Sequence, residues 1–126
     1  MSTLDTAVMT TQEVANRFYE LCLDNKMMEV QEELYAPNAE SIEPPNVPGL
    51  KSVKGLEAIR QKGVEFNDSV EDMHGGYTGK PIVAGNFFAV SMGIDATMKG
   101  MGRTKMDEIA VYEVRDGKIV KEQFFF

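Results

Sequence analysis

The stretch Tyr35-Ala-Pro-Asn-Ala-Glu-Ser-Ile-Glu43-Pro44-Pro45 follows two short helical patterns and predicts a brief strand over residues 39–43. Proline has no N–H and a fixed φ, so Pro44 and Pro45 make the chain leave this strand directly after Glu43. The two prolines also offer the Glu43 carboxylate no backbone N–H as a hydrogen-bond donor. We therefore interpret Glu43 as a candidate proton carrier at the mouth of a pocket. The alternative is a carboxylate that ends a strand at a solvated edge.

Two helices are predicted before this strand. Thr10-Thr-Gln-Glu13 has the spacing of a capping box, which predicts that a helix begins near Thr11. Its buried stripe is predicted to contain Val14, Phe18, Leu21 and Cys22. The pair Asp24-Asn25 ends this pattern. A second short helix then ends before Pro37, and its inward side chains are predicted to be Met27, Val30 and Leu34.

A loop and a third helix follow the strand. The loop is predicted over residues 44–54, with Pro48-Gly49 as its turn. The third helix is predicted to start near Gly55, with Leu56, Ile59, Gly63 and Phe66 on one side. A glycine inside a helix costs up to about 1 kcal/mol relative to alanine. Gly63 is therefore unfavourable unless something packs closely against it.

The hydrophobic period changes to two from Val70 onward, which predicts strands. We predict a weak strand over 70–77, interrupted by a bulge at Gly75-Gly76, and further strands over 80–84, 87–98, 103–114 and 118–126. The predicted turns between the later strands are Gly85-Asn86, Gly100-Met-Gly102 and Asp116-Gly117. Three helices followed by such strands indicate an α+β fold, in which the helices pack on one face of a strongly curved, mostly antiparallel sheet.

Composition limits the classes of function. The chain has 126 residues, of which 43% are hydrophobic, enough for the core of one domain, and we expect residues 1–10 to be a flexible arm. A net charge of -7 without a basic block argues against nucleic acid and anionic membranes as partners. No apolar run reaches the roughly 20 residues of a bilayer span, and no signal peptide is visible. The single cysteine, Cys22, fits a reducing compartment, so we expect a cytoplasmic protein.

The order of several short segments carries a resemblance to a known superfamily. These segments are Arg17-Phe18-Tyr19, the Asp24-Asn25 break, Leu34-Tyr35-Ala36-Pro37-Asn38-Ala39, Glu43-Pro44, Gly55-Leu-Glu-Ala-Ile59 and Val114-Arg-Asp-Gly-Lys-Ile-Val120. In this order the chain resembles the nuclear transport factor 2-like superfamily, whose cone-shaped, cystatin-like fold is shared by ketosteroid isomerases and SnoaL-like polyketide cyclases. The resemblance implies a single SnoaL-like domain over residues 1–126. It implies no single function, because the superfamily contains enzymes, ligand binders and interaction modules.

The resemblance to ketosteroid isomerases extends to individual residues. In that family the general base is an Asp before a proline at the end of the first strand, a place that Glu43 before Pro44 matches. The family's oxyanion hole consists of a Tyr on the first helix and a protonated Asp on the penultimate strand. The matching residues here are Phe18 and Ala110, which cannot donate a hydrogen bond. Since one lost donor typically costs a rate factor of about 10² to 10³, the usual steroid isomerisation is not expected.

Alternation along residues 103–114 predicts a different helper for the base. If the position of Ala110 looks into the cone, as the resemblance implies, Glu108 and Tyr112 face inward with it. Glu43 and Glu108 would then meet across one cavity, which favours a proton on one of them. A register slip of one residue would instead pair Glu108 with a basic side chain at the surface.

Two further candidates come from the predicted strands. His74, the single histidine of the chain, lies just before the predicted bulge. Because histidine titrates near neutrality, it is a candidate acid or polariser beside Glu43; the alternative is a structural or surface histidine. On the last strand, either Lys121 or Glu122 points toward the cone, and alternation alone leaves both open.

Apolar side chains are predicted to line a cone that binds an apolar small molecule. The candidates are Phe18, Cys22, Ile59, Phe88, Met92, Ala110, Tyr112 and Phe124. The alternative is that they only pack the core, with Cys22 as a small hydrophobe rather than a nucleophile. Phe124-Phe125-Phe126 puts aromatic rings on both faces of the last strand, so one face needs a cover. A second copy is the expected cover, since the resemblance implies a homodimer through the sheet.

Motifs for several other chemistries do not occur in the sequence. One histidine and one cysteine give no common zinc spacing, and the glycine motifs of nucleotide binding and of serine hydrolases are missing. We therefore expect no metal and no cofactor. The leading hypothesis is a small-molecule-binding protein in which Glu43 moves a proton at an activated carbon, as an isomerase, cyclase or dehydratase, helped by His74 or Glu108. The alternative is a non-catalytic ligand-binding or dimerisation module whose cone is filled by side chains.

Overall fold

The computed structural model describes residues 8–45, 47 and 49–126, which form three helices and seven strands. The helices are α1 (Thr11–Leu23), α2 (Met27–Leu34) and α3 (Leu56–Ser69). The strands are β1 (Tyr35–Ile42), β2 (Val53–Lys54), β3 (Val70–Thr78), β4 (Ile82–Ala84), β5 (Phe87–Met98), β6 (Gly102–Arg115) and β7 (Lys118–Phe125). The predicted arm over residues 1–10 falls mainly on residues 1–7, which lie outside the described residues, as does Pro48 of the predicted Pro48-Gly49 turn.

The strands form one open sheet in the order β2-β1-β7-β6-β5-β3, with β4 paired to β5. β1 and β7 run parallel, and the other pairs are antiparallel. The three helices pack on one face of this curved sheet, which we call the inner face. The predicted α+β fold, with helices over a curved and mostly antiparallel sheet, is therefore confirmed. The parallel pair brings β1 beside the much later β7.

Local sequence signals set the limits of α1. The Thr10 hydroxyl accepts a hydrogen bond from the Glu13 N–H at 3.1 Å, and the Thr10 N–H donates to Glu13 Oε1 at 2.9 Å. This reciprocal capping box satisfies two backbone donors at the start of the helix and confirms the predicted start at Thr11. After the helix, Asn25 adopts a φ of 58° and turns the chain toward α2. No helix in the part of the chain that the structure describes is long and apolar enough to cross a membrane.

Two details of the following region differ from the sequence prediction. The prediction that Met27 faces inward is wrong, because its side chain is 50% exposed. Met27 is the first residue of α2, and the buried stripe begins with Val30 in the next turn. β1 begins at Tyr35, earlier than predicted, so Pro37 lies inside the strand. The strand tolerates this proline because the β1–β7 register is irregular between Tyr35 and Glu40.

The later strands follow the predicted pattern closely. Asp116 and Gly117 have φ values of 50° and 76°, the positive values that a two-residue type I′ hairpin turn requires. The register of β3 against β5 shifts between Met73 and Gly75, next to the predicted bulge. β5 and β6 pair without interruption, so the even-numbered residues of both strands share the inner face.

The core lies between α1 and the inner face of β5 and β6. Its buried side chains include Val14, Phe18 and Leu21 from α1 and Phe88, Val90, Ala110, Tyr112 and Val114 from the strands. On α3, Ile59 is buried, whereas Leu56 and Phe66 are half-buried. α3 therefore covers its part of the sheet less completely than α1 does.

Gly63→Ala is expected to stabilise the protein. A Cβ at Gly63 would meet no atom within 4 Å beyond its own turn of α3. No close packing in the described residues therefore requires the glycine there. Alanine has the higher helix propensity by up to about 1 kcal/mol, and such a gain would raise the melting temperature by roughly 2 to 5 °C. Thermal unfolding followed by circular dichroism measures the change.

Gly93→Ala is the matched contrast on β5. A Cβ at Gly93 would lie 2.4 Å from the Tyr77 ring and 2.9 Å from the Asp107 carboxylate. Overpacking of this kind typically costs about 1 to 3 kcal/mol, so the melting temperature should fall. Equal effects of the two substitutions would contradict this distinction between the glycines.

Candidate active site

Two polar residues of the site, Ser41 and Glu122, belong to one cross-strand row on the inner face. Ser41 of β1 lies beside Glu122 of β7. Glu122 lies opposite Tyr112 of β6, which in turn lies opposite Phe88 of β5. Neighbours in such a row place their side chains on the same face, about 5 Å apart. The row therefore runs from polar side chains at β1 to aromatic side chains at β5.

Glu122 is a buried carboxyl group, with 6% exposure. The Tyr35 hydroxyl donates a hydrogen bond to it, and the Ser41 hydroxyl lies directly beside it. Burial raises the pKa of Glu122, and these two hydroxyl groups oppose the rise. Burial and the charge of Glu122 raise the pKa of Tyr35 well above its ordinary value, so Tyr35 keeps its proton at neutral pH. Lys121 is more exposed and lies 4.0 Å from Glu113, so Glu122 is the residue of the pair that points toward the cone.

Lys62 of α3 connects this buried carboxyl group to Glu43. Its Nζ donates to Ser41 Oγ at 2.6 Å, to Glu43 Oε2 at 2.7 Å and to the Lys51 carbonyl at 3.3 Å. The ammonium also lies 5.7 Å from the centre of the Phe124 ring. The lysine side chain is only 20% exposed, so protein groups rather than water compensate most of its charge.

Glu43 follows directly after β1. Its side chain is 10% exposed and forms the ion pair with Lys62. Its N–H donates to Ser52 Oγ at 3.0 Å, which holds the backbone beside the segment before β2. The Glu43 side chain is therefore more buried than that of a carboxylate at a solvated strand edge would be.

Glu108 lies on the inner face of β6 with Ala110 and Tyr112, as the alternation predicts. Burial, followed by the negative charges of Glu43 and Glu122, raises the pKa of Glu108 to about 7. A carboxyl group with such a pKa is about half protonated at neutral pH, so it can give or take a proton there.

The arrangement can separate an acid from a base. We call Glu43, Glu108 and Glu122 the carboxyl cluster; Lys62 is a cation that acts on both Glu108 and Glu122. Like charges in one site favour a proton on one of the groups. Glu43 is paired with Lys62, whereas burial raises the pKa of Glu108, so Glu108 is the group that can hold a proton at neutral pH. Over residues 8–45, 47 and 49–126, no three His, Cys, Asp or Glu side chains are arranged to hold a metal ion.

Aromatic side chains fill the interior behind the carboxyl cluster. Ring centres lie 5.4 Å apart between Phe18 and Phe88, 4.7 Å apart between Phe18 and Tyr112, and 4.8 Å apart between Phe88 and Tyr112. The three residues are at most 2% exposed. Because this trio occupies the interior, a ligand would meet Glu43 and Glu108 at the rim of the cone rather than the buried Glu122.

The other predicted lining residues divide between the core and the rim. Three of them are buried in the core: Cys22, Ile59 and Ala110. Burial raises the pKa of the Cys22 thiol to about 11, so it is protonated at neutral pH. Met92 is half-buried directly opposite Glu108, and Phe124 is half-buried near Lys62. Met92 and Phe124 are thus the predicted lining residues that reach the polar groups.

His74 lies apart from the carboxyl cluster. Its Nε2 is 2.7 Å from Thr97 Oγ1, and its Nδ1 is 3.8 Å from the Asp72 carboxylate. Thr97 is an odd-numbered residue of β5, so its side chain points to the outer face of the sheet, opposite to that of Glu108. The structure therefore does not bring His74 together with Glu43.

Two open concavities of the surface involve other residues. One of about 550 Å³ lies between the start of α1 and the β6–β7 hairpin, where Met9 and Arg115 line it. Another of about 370 Å³ lies on the outer face beside Tyr77. Neither is lined by a member of the carboxyl cluster.

The site also contains three residues that the sequence pattern did not predict: Tyr35, Ser41 and Lys62. Lys62 lies three residues after Ile59 and four before Phe66, within the stripe that faces the sheet. A charged residue in such a stripe is rarely buried without a partner, and this signal would have indicated Lys62. Tyr35 and Ser41 carry no comparable signal, because their contacts depend on the pairing of β1 with the distant β7.

The raised pKa of Glu108 makes the stability of the protein depend on pH. An unfolded Glu titrates near 4.3, whereas Glu108 titrates at about 7 in the folded protein. The stabilising contribution of its proton is complete below the unfolded pKa and is lost as the pH rises through about 7. Glu108→Gln, which resembles the protonated form, should therefore stabilise the protein at about pH 8 by roughly 1 to 2 kcal/mol after allowance for solvent screening, and should change little at about pH 4.

Chemical unfolding at the two pH values measures this difference. Glu71→Gln removes a carboxylate at an exposed site of β3 and is the matched control. A stability difference between wild type and Glu108→Gln that is the same at both pH values would contradict the raised pKa.

Comparison with known proteins identifies the family of the chain. The family model described as a SnoaL-like domain matches residues 9–126. A Mesorhizobium loti protein has 35% sequence identity to this chain. It is provisionally assigned as a SnoaL-like polyketide cyclase, and the name carbohydrate phosphatase is given to it as well. Its structure superposes with a TM-score of 0.87 and covers 94% of this chain and 100% of its own.

More distant solved structures share the fold. A nuclear transport factor 2-like protein from Burkholderia thailandensis is 16% identical, with a TM-score of 0.78 over 93% of this chain and 90% of its own. A Catenulispora acidiphila protein with a ketosteroid isomerase-like fold, solved in complex with trimethylamine, is 15% identical, with a TM-score of 0.69 over 93% and 87%. No curated protein matches the chain significantly. Because the family model covers nearly the whole chain and the Mesorhizobium protein matches it throughout, the protein belongs to the SnoaL-like domain family.

Proposed function

We propose that this protein is a cofactor-independent acid-base catalyst that moves a proton at a carbon next to a carbonyl group. Glu43 is the base and Glu108 is the acid. The observation that carries the proposal is the difference between these two groups: Glu43 is ion-paired with Lys62, whereas Glu108 has a pKa of about 7. Acid and base groups work best when their pKa values lie near the operating pH, which Glu108 satisfies.

The two carboxyl groups can act in sequence with a balanced proton count. Glu43 takes a proton from the carbon while Glu108 gives its proton to the carbonyl oxygen, which forms a neutral enol. Where a C=C bond is conjugated with the enol, the enol is then reprotonated at the far carbon of that bond; otherwise its carbon attacks a second carbonyl group. Glu43 gives the proton that it took to that far carbon in the first case and to the oxygen of the attacked carbonyl group in the second. In both cases Glu108 recovers its own proton from the enol hydroxyl. Isomerisation and intramolecular aldol cyclisation both follow this scheme.

Glu108 supplies a donor that the isomerase-like positions of this chain do not offer. Phe18 and Ala110 stand where the resemblance places the two oxyanion donors, and neither can donate. Glu108 lies two residues before Ala110 on the same face of β6, so its side chain projects toward the same space. A protonated Glu108 can therefore bind the oxygen that becomes negative in the transition state.

The charge and surroundings of the site favour a small, neutral and largely apolar carbonyl compound. The carboxyl cluster would repel an anionic substrate. Met92 beside Glu108 and Phe124 beside Lys62 offer apolar contacts at the rim. The provisional cyclase assignment of the Mesorhizobium protein, and the trimethylamine bound to the Catenulispora protein, support a small ligand for this fold.

Hydrogen–deuterium exchange tests the proposal without knowledge of the product. Small ketones and 1,3-dicarbonyl compounds are incubated with the protein in D₂O, and loss of the α-proton signal is followed by proton NMR. The wild type should accelerate exchange of at least one compound. Glu43→Gln and Glu108→Gln should each lower that rate by roughly 100-fold or more, since acid and base groups contribute about 10² to 10⁴ in rate.

Glu40→Gln is the matched control for this assay. Glu40 belongs to β1, but alternation from the buried Ser41 places its side chain on the opposite face. This variant should keep the wild-type exchange rate. Exchange that is catalysed equally well by wild type and Glu43→Gln would rule out the proposed base.

The packed interior favours a second candidate, a non-catalytic binding or dimerisation module. Phe18, Phe88 and Tyr112 occupy the space in which a ligand of the isomerase type would lie. In such a module the carboxyl cluster and Lys62 would serve only to connect β1, β7 and α3. Wild type and Glu43→Gln would then both leave the exchange of every compound at the buffer rate.

We further propose that two copies associate through the outer face of the sheet. Ile109 of β6 and Phe125 of β7 are directly paired on that face and are 52% and 49% exposed. Val111 and Gln123 form the next pair on the same face. Exposed apolar patches of this kind often mark protein contacts, and a two-fold dimer would let the same patch cover itself.

Ile109→Lys is expected to convert the dimer into a monomer, because it places a charge at the centre of the apolar patch. Size-exclusion chromatography with light scattering measures the mass. Leu23→Lys, at a 57% exposed position of α1 on the other side of the sheet, is the matched control and should remain dimeric. A wild-type protein with the mass of one chain would contradict the proposed dimer.

A further inference from the structure

Lys62 lies at a position of α3 where the helix pattern predicts an apolar side chain. It shares a helix face with Ile59 and Phe66, and its side chain is only 20% exposed. Moving an ammonium out of water costs free energy that only close partners can offset. The partners of Lys62 therefore indicate why a charge is found at this position.

The ammonium has one acceptor for each of its three hydrogens. The acceptors are the Ser41 hydroxyl at 2.6 Å, the Glu43 carboxylate at 2.7 Å and the Lys51 carbonyl at 3.3 Å. They come from β1, from the residue after β1 and from the segment before β2. Because the three donors of Nζ diverge in fixed directions, Lys62 fixes where Glu43 lies relative to Ser41.

Ser41 connects Lys62 with the buried end of the site, at Glu122. It is fully buried, accepts from Lys62 and lies directly beside Glu122, whose pKa its hydroxyl lowers. Tyr35 donates a hydrogen bond to Glu122. A continuous row of polar groups therefore leads from the buried Tyr35 to Glu43, and Lys62 donates to the last of them.

We propose that Lys62 is the positioning residue of this site: its ammonium holds the Glu43 carboxylate beside Ser41, so that Glu43 faces Glu108 across the mouth of the cone. The catalytic meaning of this inference rests on the proposed function, but the geometry can be tested without turnover. The competing explanation is that Lys62 ties α3 to the loop after β1 and acts on Glu108 through its charge alone.

A double-mutant cycle on the titration of Glu108 separates these two explanations. The midpoint is measured by ¹³C NMR of the glutamate carboxyl signals in wild type, Lys62→Met, Glu43→Gln and the double variant. Glu43→Gln should lower the midpoint, because it removes a negative charge that raises the pKa of Glu108. In the Glu43→Gln background, Lys62→Met should raise the midpoint, because it removes the ammonium that lowers the pKa of Glu108.

Positioning predicts that the two substitutions are not additive. With Glu43 present, Lys62→Met also releases the Glu43 carboxylate, which turns toward water and repels Glu108 less. The upward shift caused by Lys62→Met should therefore be smaller in the wild-type background than in the Glu43→Gln background, by roughly half a pH unit or more. Additive shifts would overturn the proposal and leave Lys62 as a structural cation.

Lys54→Met is the matched control, since it removes the same charge from an exposed position on the neighbouring strand β2. Its effect should be additive with that of Glu43→Gln. Lys62→Gln, which also removes the charge, repeats the cycle if the methionine variant does not fold, and the same lack of additivity is expected.

The cycle and the exchange assay can fail independently. If the protein catalyses no exchange but the two substitutions are not additive, the proposed catalysis is wrong and Lys62 still positions Glu43. If the protein catalyses exchange but the two substitutions are additive, the proposed catalysis holds and the positioning role is wrong.

Discussion

Glu122 lies near the middle of the inner face with 6% exposure, where water cannot solvate its carboxyl group. A buried carboxylate needs hydrogen-bond donors, or it retains a proton. The parallel pairing of β1 with β7 supplies two hydroxyl groups, because it sets Ser41 beside Glu122 while Tyr35 donates to the same carboxyl group. Ser41 accepts in turn from Lys62, whose ammonium is paired with the Glu43 carboxylate. The buried Glu122 is thus linked through Ser41 and Lys62 to the position of Glu43.

The same chain of contacts explains how Glu43 and Glu108 differ. Glu43 is next to an ammonium, and its ion pair offsets much of the cost of its burial. Glu108 lies opposite Met92, and burial is the largest cause of its raised pKa, ahead of the charges of Glu43 and Glu122. Chemically identical side chains therefore have different surroundings: Glu43 is in an ion pair, and Glu108 is in a buried place opposite Met92. The proposed acid-base function depends on this difference.

The fold was largely predictable from the sequence because its signals are local. The capping box at Thr10 and the turn at Asp116-Gly117 each depend on a few adjacent residues. The site was predictable only in part: Glu43 follows from the proline after it, and the facing of Glu108 follows from alternation along β6. The roles of Tyr35 and Ser41 depend on a parallel pair between distant strands, which no local pattern indicates. The wrong prediction for Met27 has a related cause, since periodicity does not tell whether anything covers the first turn of a helix.

The packed aromatic trio changes which part of the cone can hold a substrate. A polar donor at the position of Phe18 would act from the bottom of an open cone, as the resemblance to the isomerases implies. Here the rings of Phe18, Phe88 and Tyr112 close that space, while Lys62 and Glu43 are 20% and 10% exposed at the rim. In the proposed function, a substrate would therefore lie across the mouth, where it meets Glu43 and Glu108. Met92 beside Glu108 and Phe124 beside Lys62 would then limit its size, rather than the depth of the cone.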